Sequence, residues 1–434
     1  MKCAVIGGGL AGLSTSVYLT DNNHSVSIFE SSSSLGGRVK QISPSSEFPD
    51  LDYGQHALSS AYKYMFKFAD KIGSLTKFKI PERLNITFVN KNASSKLKTG
   101  YLPYPFNLLL GLMNFSLISG KERRALIKFL IFIKNSDESF YTSKTLCEFF
   151  AKHKQTENLI KSFWNKVAIS IFNTKTKDVD PQMFVFTMRK LFFEKKDNFI
   201  TFAPKLTINK LLISPAIDYL NTKKVEFRLK EKITALNIKS NKVTKIITDK
   251  NEYADFDFVI SAIQPYQLIN ILPKSELTEK LSEFRYSPII TGFIKIDKPF
   301  LKDKMIAFND SFIDWVFNFG RYISIVISAN DEIADLDKNS LKNKIISELN
   351  SFFPVFSSRN VLDFVLINEK KSTIMSDNLI NRLRDNIYSP YTNLIFAGDW
   401  TNTGLPATIE SAVLSGKYAA WRVENSLKLW TYNN

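Results

Sequence analysis

Gly7-Gly8-Gly9-Leu10-Ala11-Gly12 is the first group of residues in this chain whose types and spacing could do chemistry. It fits the pattern GxGxxG. Glycine at 7 permits a tight turn, glycine at 9 lets the backbone approach a pyrophosphate, and glycine at 12 lets a helix pack closely on a strand. A helix opening at Leu10 would present free N–H groups and a positive dipole end to phosphates. Glu30 stands 18 residues beyond Gly12, where a carboxylate can accept hydrogen bonds from an adenosine ribose. Gly7, Gly9, Leu10, Ala11, Gly12 and Glu30 together describe a dinucleotide site.

The elements needed to position these residues are legible around them. Lys2 to Ile6 reads as a strand and Leu10 to Thr20 as a helix with Leu13, Val17 and Tyr18 on its apolar face. Ser25 to Phe29 reads as a second strand, completing a βαβ unit that ends at Glu30. Further on, Ile233 to Ala262 reads as a three-strand meander with runs at Ile233–Ile238, Val243–Ile247 and Phe256–Ile260, and turns at Ser240-Asn241 and Lys250-Asn251. Phe312–Phe317 and Tyr322–Ile327 predict a hairpin around Gly320. Helices are predicted over Arg124–Lys134, Leu159–Ala168, Ser340–Phe352 and Ala407–Val423, and a short strand over Asn393–Ala397.

Glycine is scarce, 16 of 434 residues, and unevenly placed. Six lie in the first 37 residues, Gly398, Gly404 and Gly416 lie near the end, and none falls between Gly120 and Gly292. Composition excludes several classes. A 44% hydrophobic, 23% charged chain is globular rather than disordered. Two cysteines, Cys3 and Cys147, make neither a disulfide framework nor a thiolate cage, and three scattered histidines suggest no metal site. The formal charge of +16 rests on lysine, since Arg supplies only 12 of the 58 basic residues. No basic block or recognised module points to nucleic acid. A solvated lysine-rich surface or attraction to anionic lipid would each account for the charge.

Two further motifs carry a resemblance. Glu30 is followed after five residues by Gly36-Gly37-Arg38, and Leu394-Ile395-Phe396-Ala397-Gly398-Asp399-Trp400 is followed by Gly404-Leu405-Pro406-Ala407-Thr408-Ile409-Glu410. Both resemble the amine oxidase and phytoene desaturase group of flavoproteins. With Leu51-Asp52-Tyr53-Gly54-Gln55-His56, Phe163-Trp164-Asn165-Lys166, Phe172-Asn173-Thr174 and Trp315-Val316-Phe317, the chain is similar to one branch, the squalene-associated FAD-dependent desaturase family. The matching blocks run from residue 4 to residue 420; Ser411 stands where the group usually has Gly. The resemblance implies an α/β fold: a Rossmann-like FAD-binding domain with GxGxxG and β-meander, and an inserted α+β substrate domain. The FAD domain would comprise residues 1–75, 205–265 and 385–434, and the substrate domain 76–204 and 266–384. FAD would also contact Gly36, Gly37, Arg38, Gly54, Ile233, Gly398, Asp399, Thr408 and Ile409, with Asp399 accepting a ribityl hydroxyl or bridging to phosphate.

The family also implies a reaction, reductive removal of the hydroxyl of hydroxysqualene to give squalene, with reduced FAD as hydride source. A C30 hydrocarbon needs a long apolar tunnel, and the 36 phenylalanines offer material for one. His56 is the candidate acid or hydrogen-bond donor near the departing oxygen, because histidine can titrate near neutral pH; Asp52, Asp314, Glu369 and Lys370 are weaker candidates. No second GxGxxG occurs, so reducing equivalents would come from a diffusible or protein reductant. Tyr101 to Ile118 with the basic residues after it suits either a peripheral membrane contact or a buried helical pair. The opening strand is too short for a signal-peptide core, and the expected location is cytoplasmic, at the inner face of the cell membrane. Oxidative phytoene or carotenoid desaturation, an amine oxidase using Trp400 in an aromatic cage, and a non-catalytic flavin-binding membrane-associated protein stand as alternatives.

Overall fold

A computed structural model describes residues 1–42, 48, 50–136, 145–195 and 198–432, the last six by backbone alone. Its nucleotide-type layer is a parallel sheet of five strands, in the order Leu394–Phe396, Phe258–Ser261, Lys2–Ile6, Ser25–Glu30 and Glu226–Leu229. Strands from the start, middle and end of the chain are thus hydrogen-bonded neighbours. Lys2–Ile6 pairs with Ser25–Glu30 on one side and Phe258–Ser261 on the other, the latter pairing in turn with Leu394–Phe396. Because a parallel sheet is covered on both faces, its strands read as short apolar runs, and all four residues of Phe258–Ser261 are buried.

The helix Leu10–Asp21 packs on this sheet and is buried on nearly every side, not on one face as its spacing predicts. The reason is the terminal helix Ile409–Tyr432, which lies across it. Ser14 Oγ donates to the Val413 carbonyl at 2.8 Å, and a Cβ on Gly416 would come within 2.6 Å of the Ala11 carbonyl oxygen. Gly416 therefore permits the two ends of the chain to touch backbone to backbone.

The meander differs from expectation in its last strand. Ile233–Lys239 and Lys242–Thr248 pair antiparallel, with Ser240 and Asn241 both at positive φ in the turn. Their third partner is the two-residue strand Glu252–Tyr253. Phe258–Ser261 leaves the meander and joins the parallel sheet, where its uninterrupted apolar run is buried on both faces.

The second large sheet has seven strands, in the order Val361–Ile374, Tyr286–Ile296, Tyr322–Ser328, Trp315–Asn318, Met305–Phe308, Asn85–Val89 and Ser94–Lys98. The predicted hairpin is present, with Trp315 opposite Val326 and Gly320 at φ +87° in the loop. Helices Phe106–Met113, Gly120–Asn135, Leu146–Lys152, Asn165–Phe172 and Pro181–Phe192 gather on part of this sheet around one core. Trp164, fully buried, has edge-on neighbours in Phe129, Phe163 and Phe184 and stacks on Phe150.

The Tyr101–Ile118 stretch carries both buried and exposed side chains. Leu108, Leu112, Phe115 and Ile118 are buried, whereas Tyr101 (86% exposed), Phe106 (58%) and Met113 (60%) face outward. Among the described residues no helix is long and apolar enough to cross a membrane.

Candidate active site

The carboxyl ends of parallel strands are where ligands bind in such sheets. Here the ends of four neighbouring strands bring Gly7, Glu30, Ala262 and Gly398 to one cavity of about 1370 Å³. Gly12 and Gly37 at its floor have little or no room for side chains. A Cβ on Gly12 would lie 2.0 Å from the Gly7 carbonyl oxygen, and one on Gly37 would lie 3.2 Å from the Gly9 Cα. Gly36 N donates to the Gly8 carbonyl at 2.8 Å, tying the two glycine loops together. Among the described residues no side chain caps the helix that opens at Leu10, and its first residues Leu10 and Ala11 line the cavity. That leaves bare backbone and free first-turn N–H groups facing the space, as a pyrophosphate requires.

Glu30 closes one end of this cradle. Its carboxylate accepts from Gly8 N at 2.9 Å and Ser32 N at 2.8 Å, which fixes its orientation and leaves lone pairs toward the cavity. Ile233 lines the same end, next to Glu231 and Lys232. On the far side Arg38 reaches Asp399 at 2.7 Å and the Ser372 carbonyl at 2.6 Å. Burial alone would push Asp399 up, but the Arg38 charge and hydrogen bond, helped by Gln264 and Arg384, hold it below the usual carboxylate range. Asp399 therefore stays ionised, its carboxylate oriented by Arg38. Gly398, at φ +140°, makes the turn that delivers it. Thr408 and Ile409 open the terminal helix at the cavity wall, and the Thr408 hydroxyl caps Ser411 N. Ser411 fits in the usual glycine's place by sharing a 2.7 Å hydrogen bond with the Thr403 hydroxyl.

All the cofactor-binding candidates read from sequence except Gly12 line this one cavity; Gly12 lies beneath it, packed on Gly7. The weaker catalytic candidates separate. Asp52 accepts from Ile208 N at 2.6 Å and Asn209 N at 3.1 Å, holding the start of a helix, and burial raises it to about 6. Asp314 forms a buried pair with Lys166 at 2.7 Å and also accepts from Ser328 N. Lys370 is exposed on Asp335, while Glu369 does line the cavity. Trp400, expected near an amine cage, points into the core, where it donates to the Ile263 carbonyl and packs on Phe284 and Phe396.

His56 lines the cavity but does not titrate near neutrality. Burial first, then the Arg38 charge, pushes it down to about 4, outweighing the upward pull of its hydrogen bond to the Arg38 backbone. Several lining residues were missed in the sequence. Gln264, Thr291 and Lys371 line the cavity, with Lys371 Nζ 4.3 Å from the Tyr266 ring centre. Gln264 was within reach of sequence reasoning, since it follows the end of a buried strand at the place where such sheets bind ligands.

Past His56 the cavity changes character. Ile169, Ile289, Met305, Trp315, Phe317 and Val326 form a largely apolar end, with Glu369 paired to Ile289 beside it. Sites for single small ligands usually enclose about 300–1,000 Å³, so this cavity has room for a dinucleotide and for a second, largely apolar molecule. A bare-backbone cradle, an ionised acid and an adjoining apolar chamber define a flavin-dependent oxidoreductase of the dinucleotide-binding class, with FAD as its cofactor.

The chain belongs to the flavin containing amine oxidoreductase family, whose model matches residues 10–424. It is similar to a hydroxysqualene dehydroxylase of Zymomonas mobilis, 24% identical over 432 residues, covering 96% of this chain and 97% of the relative. A zeta-carotene desaturase of Synechocystis is 20% identical, covering 99% of both chains. Among solved structures, an oxidoreductase from Methanosarcina mazei superposes with a TM-score of 0.74 at 17% identity, over 98% of this chain and all of the other.

Proposed function

We propose that this protein removes the hydroxyl of hydroxysqualene reductively to give squalene. The observation that carries the reading is the continuity of one cavity from the glycine cradle to a chamber walled by Ile169, Met305, Trp315, Phe317 and Val326. An apolar wall of that kind suits a nearly pure hydrocarbon. The dehydroxylase relatives supply the reaction type. In this reading Gly7, Gly9, Leu10, Ala11, Gly36 and Gly37 receive the pyrophosphate, with Gly12 holding helix to strand beneath them. Glu30 takes the adenosine ribose beside Ile233; Arg38, Gly54, Gly398, Asp399, Thr408 and Ile409 hold the ribityl and ring end. Residues 76–204 and 266–384 supply the chamber. Reduced flavin, when bound, supplies the hydride that replaces the hydroxyl; the alcohol and reduced cofactor become hydrocarbon, water and oxidised cofactor. The chain's part is to exclude water and hold the substrate carbon in place.

The substrate dissolves in membrane, and the outward-facing Tyr101, Phe106 and Met113 precede the helix Gly120–Asn135, whose basic Arg123 donates to the Phe115 carbonyl. Tyr104, in the same stretch, stacks on Phe199 and donates to the Phe192 carbonyl, next to cavity-lining Leu191 and Asn198. This patch suits docking at an anionic bilayer, on the inner face of the cell membrane, with the cavity close by.

Oxidative desaturation of a polyene is the second reading, favoured by the desaturase relatives and served equally by an apolar chamber. Anaerobic incubation of the holoenzyme with hydroxysqualene and a chemical flavin reductant is expected to yield squalene. Absence of squalene, with conjugated products formed from phytoene by the oxidised enzyme, would overturn the first reading in favour of the second.

A further inference from the structure

Among the described residues, two side chains that line the cavity leave a buried polar atom without a partner, Asn173 Oδ1 and His56 Nε2, and the second stands beside bare backbone. His56 Nε2 is buried and accepts or donates no hydrogen bond. The ring's hydrogen bond to the Arg38 backbone assigns the proton to the other nitrogen. Nε2 is then a bare acceptor, and a buried acceptor left unpaired is destabilising unless something bonds to it. Its surroundings form a small notch. Gly54, at φ +109°, has no side chain, and a Cβ placed there would lie 3.9 Å from His56 Nε2 and 3.6 Å from the Thr291 hydroxyl oxygen. Thr291 is 1% exposed and accepts from Gln55 N at 3.4 Å, so its own O–H remains free to donate. An acceptor and a donor thus converge over bare backbone, where the polar cradle gives way to the apolar chamber.

That pairing matches an alcohol, which donates one hydrogen bond and accepts others. We propose that His56, Thr291 and the bare face of Gly54 form the notch that recognises the substrate's single hydroxyl. The hydroxyl donates to His56 Nε2 and accepts from the Thr291 O–H, which fixes the carbon that bears it at the boundary of the two regions. His56 and Thr291 are specificity and positioning residues here, with no proton transferred to the imidazole. The notch rests on the dehydroxylation reading and adds the reason for its selectivity: a site built to bond a hydroxyl rejects the analogue that lacks it, because its own polar groups are then left unpaired.

The test uses the oxidised holoenzyme, whose flavin absorbance reports binding without turnover. Titration with hydroxysqualene and with squalene is expected to show the alcohol binding at least tenfold tighter. His56→Leu and Thr291→Val should each retain flavin and lose most of that preference, the hydrocarbon binding as well as before or better. His56→Gln, whose amide oxygen can accept, should restore part of it. Preference for the alcohol that survives both substitutions would overturn the notch while leaving the dehydroxylation reading standing. Loss of flavin from His56→Leu and His56→Gln alike, with Thr291→Val leaving the preference intact, would reassign His56 to the cofactor and overturn it too. Wild-type protein that binds neither compound would overturn the underlying reading, and the notch with it.

Discussion

The two ends of the cavity hold their ligands by opposite means. At the cradle the chain withdraws its side chains: Gly9 and Gly37 face each other, and Gly12 packs on the Gly7 carbonyl with no room for a methyl group. At the chamber it spends bulk, with Trp315, Phe317 and Met305 filling the wall. Phosphate recognition depends on how closely backbone N–H groups approach, which a single Cβ can spoil. Hydrocarbon recognition depends on excluded water and volume, which tolerate exchange of one apolar side chain for another of similar size. The cradle should therefore fail abruptly and the chamber gradually.

The sharpest way to break the comparison is Gly12→Ala. The added Cβ would sit 2.0 Å from the Gly7 carbonyl oxygen, a backbone atom that cannot rotate away. We expect the variant to be purified colourless, or not folded, judged by flavin absorbance. Gly8→Ala is the control inside the same loop. There the nearest atom, at 2.2 Å, is the end of the Leu35 side chain, which can turn aside, so flavin should be retained. Equal occupancy in both variants would contradict the close-approach account.

A smaller effect is expected where the regions differ by charge. Asp399→Ala removes the carboxylate that Arg38 contacts and leaves only the more distant charge of Glu369. Because the Arg38 side chain is still 34% exposed, the cost is nearer about 2 kcal/mol than the full penalty of a broken buried pair. Flavin affinity should fall some thirtyfold. In the chamber, Trp315→Phe removes the 2.9 Å bond from the indole N–H to the Ser170 hydroxyl and one ring, about 1 kcal/mol. It should raise KM several-fold and leave flavin binding untouched. If Trp315→Phe released flavin as readily as Asp399→Ala, the two ends would be one energetic unit.

The difference between the ends also decides how much could be read in advance. The cradle is local in sequence: Gly7 to Gly12, Glu30 and Gly36 to Arg38 carry their spacing on the page, and so does the strand before Gly398. Their meeting across the sheet follows from short parallel strands. The chamber is assembled from side chains far apart in the chain. Nothing local pairs Lys166 with Asp314, or sets Thr291 over Gly54. Asp52 shows the same limit. Its block suggests chemistry, yet its carboxylate faces a helix start 156 residues away. The meander's third strand was misplaced because Glu252–Tyr253 is too short and polar to signal itself, while Phe258–Ser261 is apolar enough to serve any sheet.

Glu410, next to the cradle residue Ile409, supplies the finest test. Its carboxylate lines the cavity while accepting from Tyr64 N at 2.8 Å and Met65 N at 2.7 Å, at the start of the helix Lys63–Lys71. Burial raises it to about 7, against the downward pull of those two hydrogen bonds. A carboxyl whose folded-state pKa lies above its unfolded value of 4.5 binds its proton more tightly when folded. Its contribution is then complete below pH 4.5 and is lost as pH rises through about 7. Asp52, raised to about 6, acts in the same direction, and His56, lowered to about 4, acts in the opposite one. The total pH profile mixes these with other shifted groups, among them His153, Glu122 and Asp399, all lowered, but the difference in Tm between wild type and Glu410→Gln cancels the groups that both proteins share. Glutamine keeps one acceptor oxygen for two N–H groups, so at pH 5 the variant should be the less stable by about 1 kcal/mol. Between pH 5 and 8 that gap should close or reverse, because only the wild type must either ionise a buried acid or keep it protonated against the pH. A gap that stays constant over that range would mean that Glu410 is already ionised at pH 5, and that its surroundings belong electrostatically to the polar cradle rather than to the dry chamber.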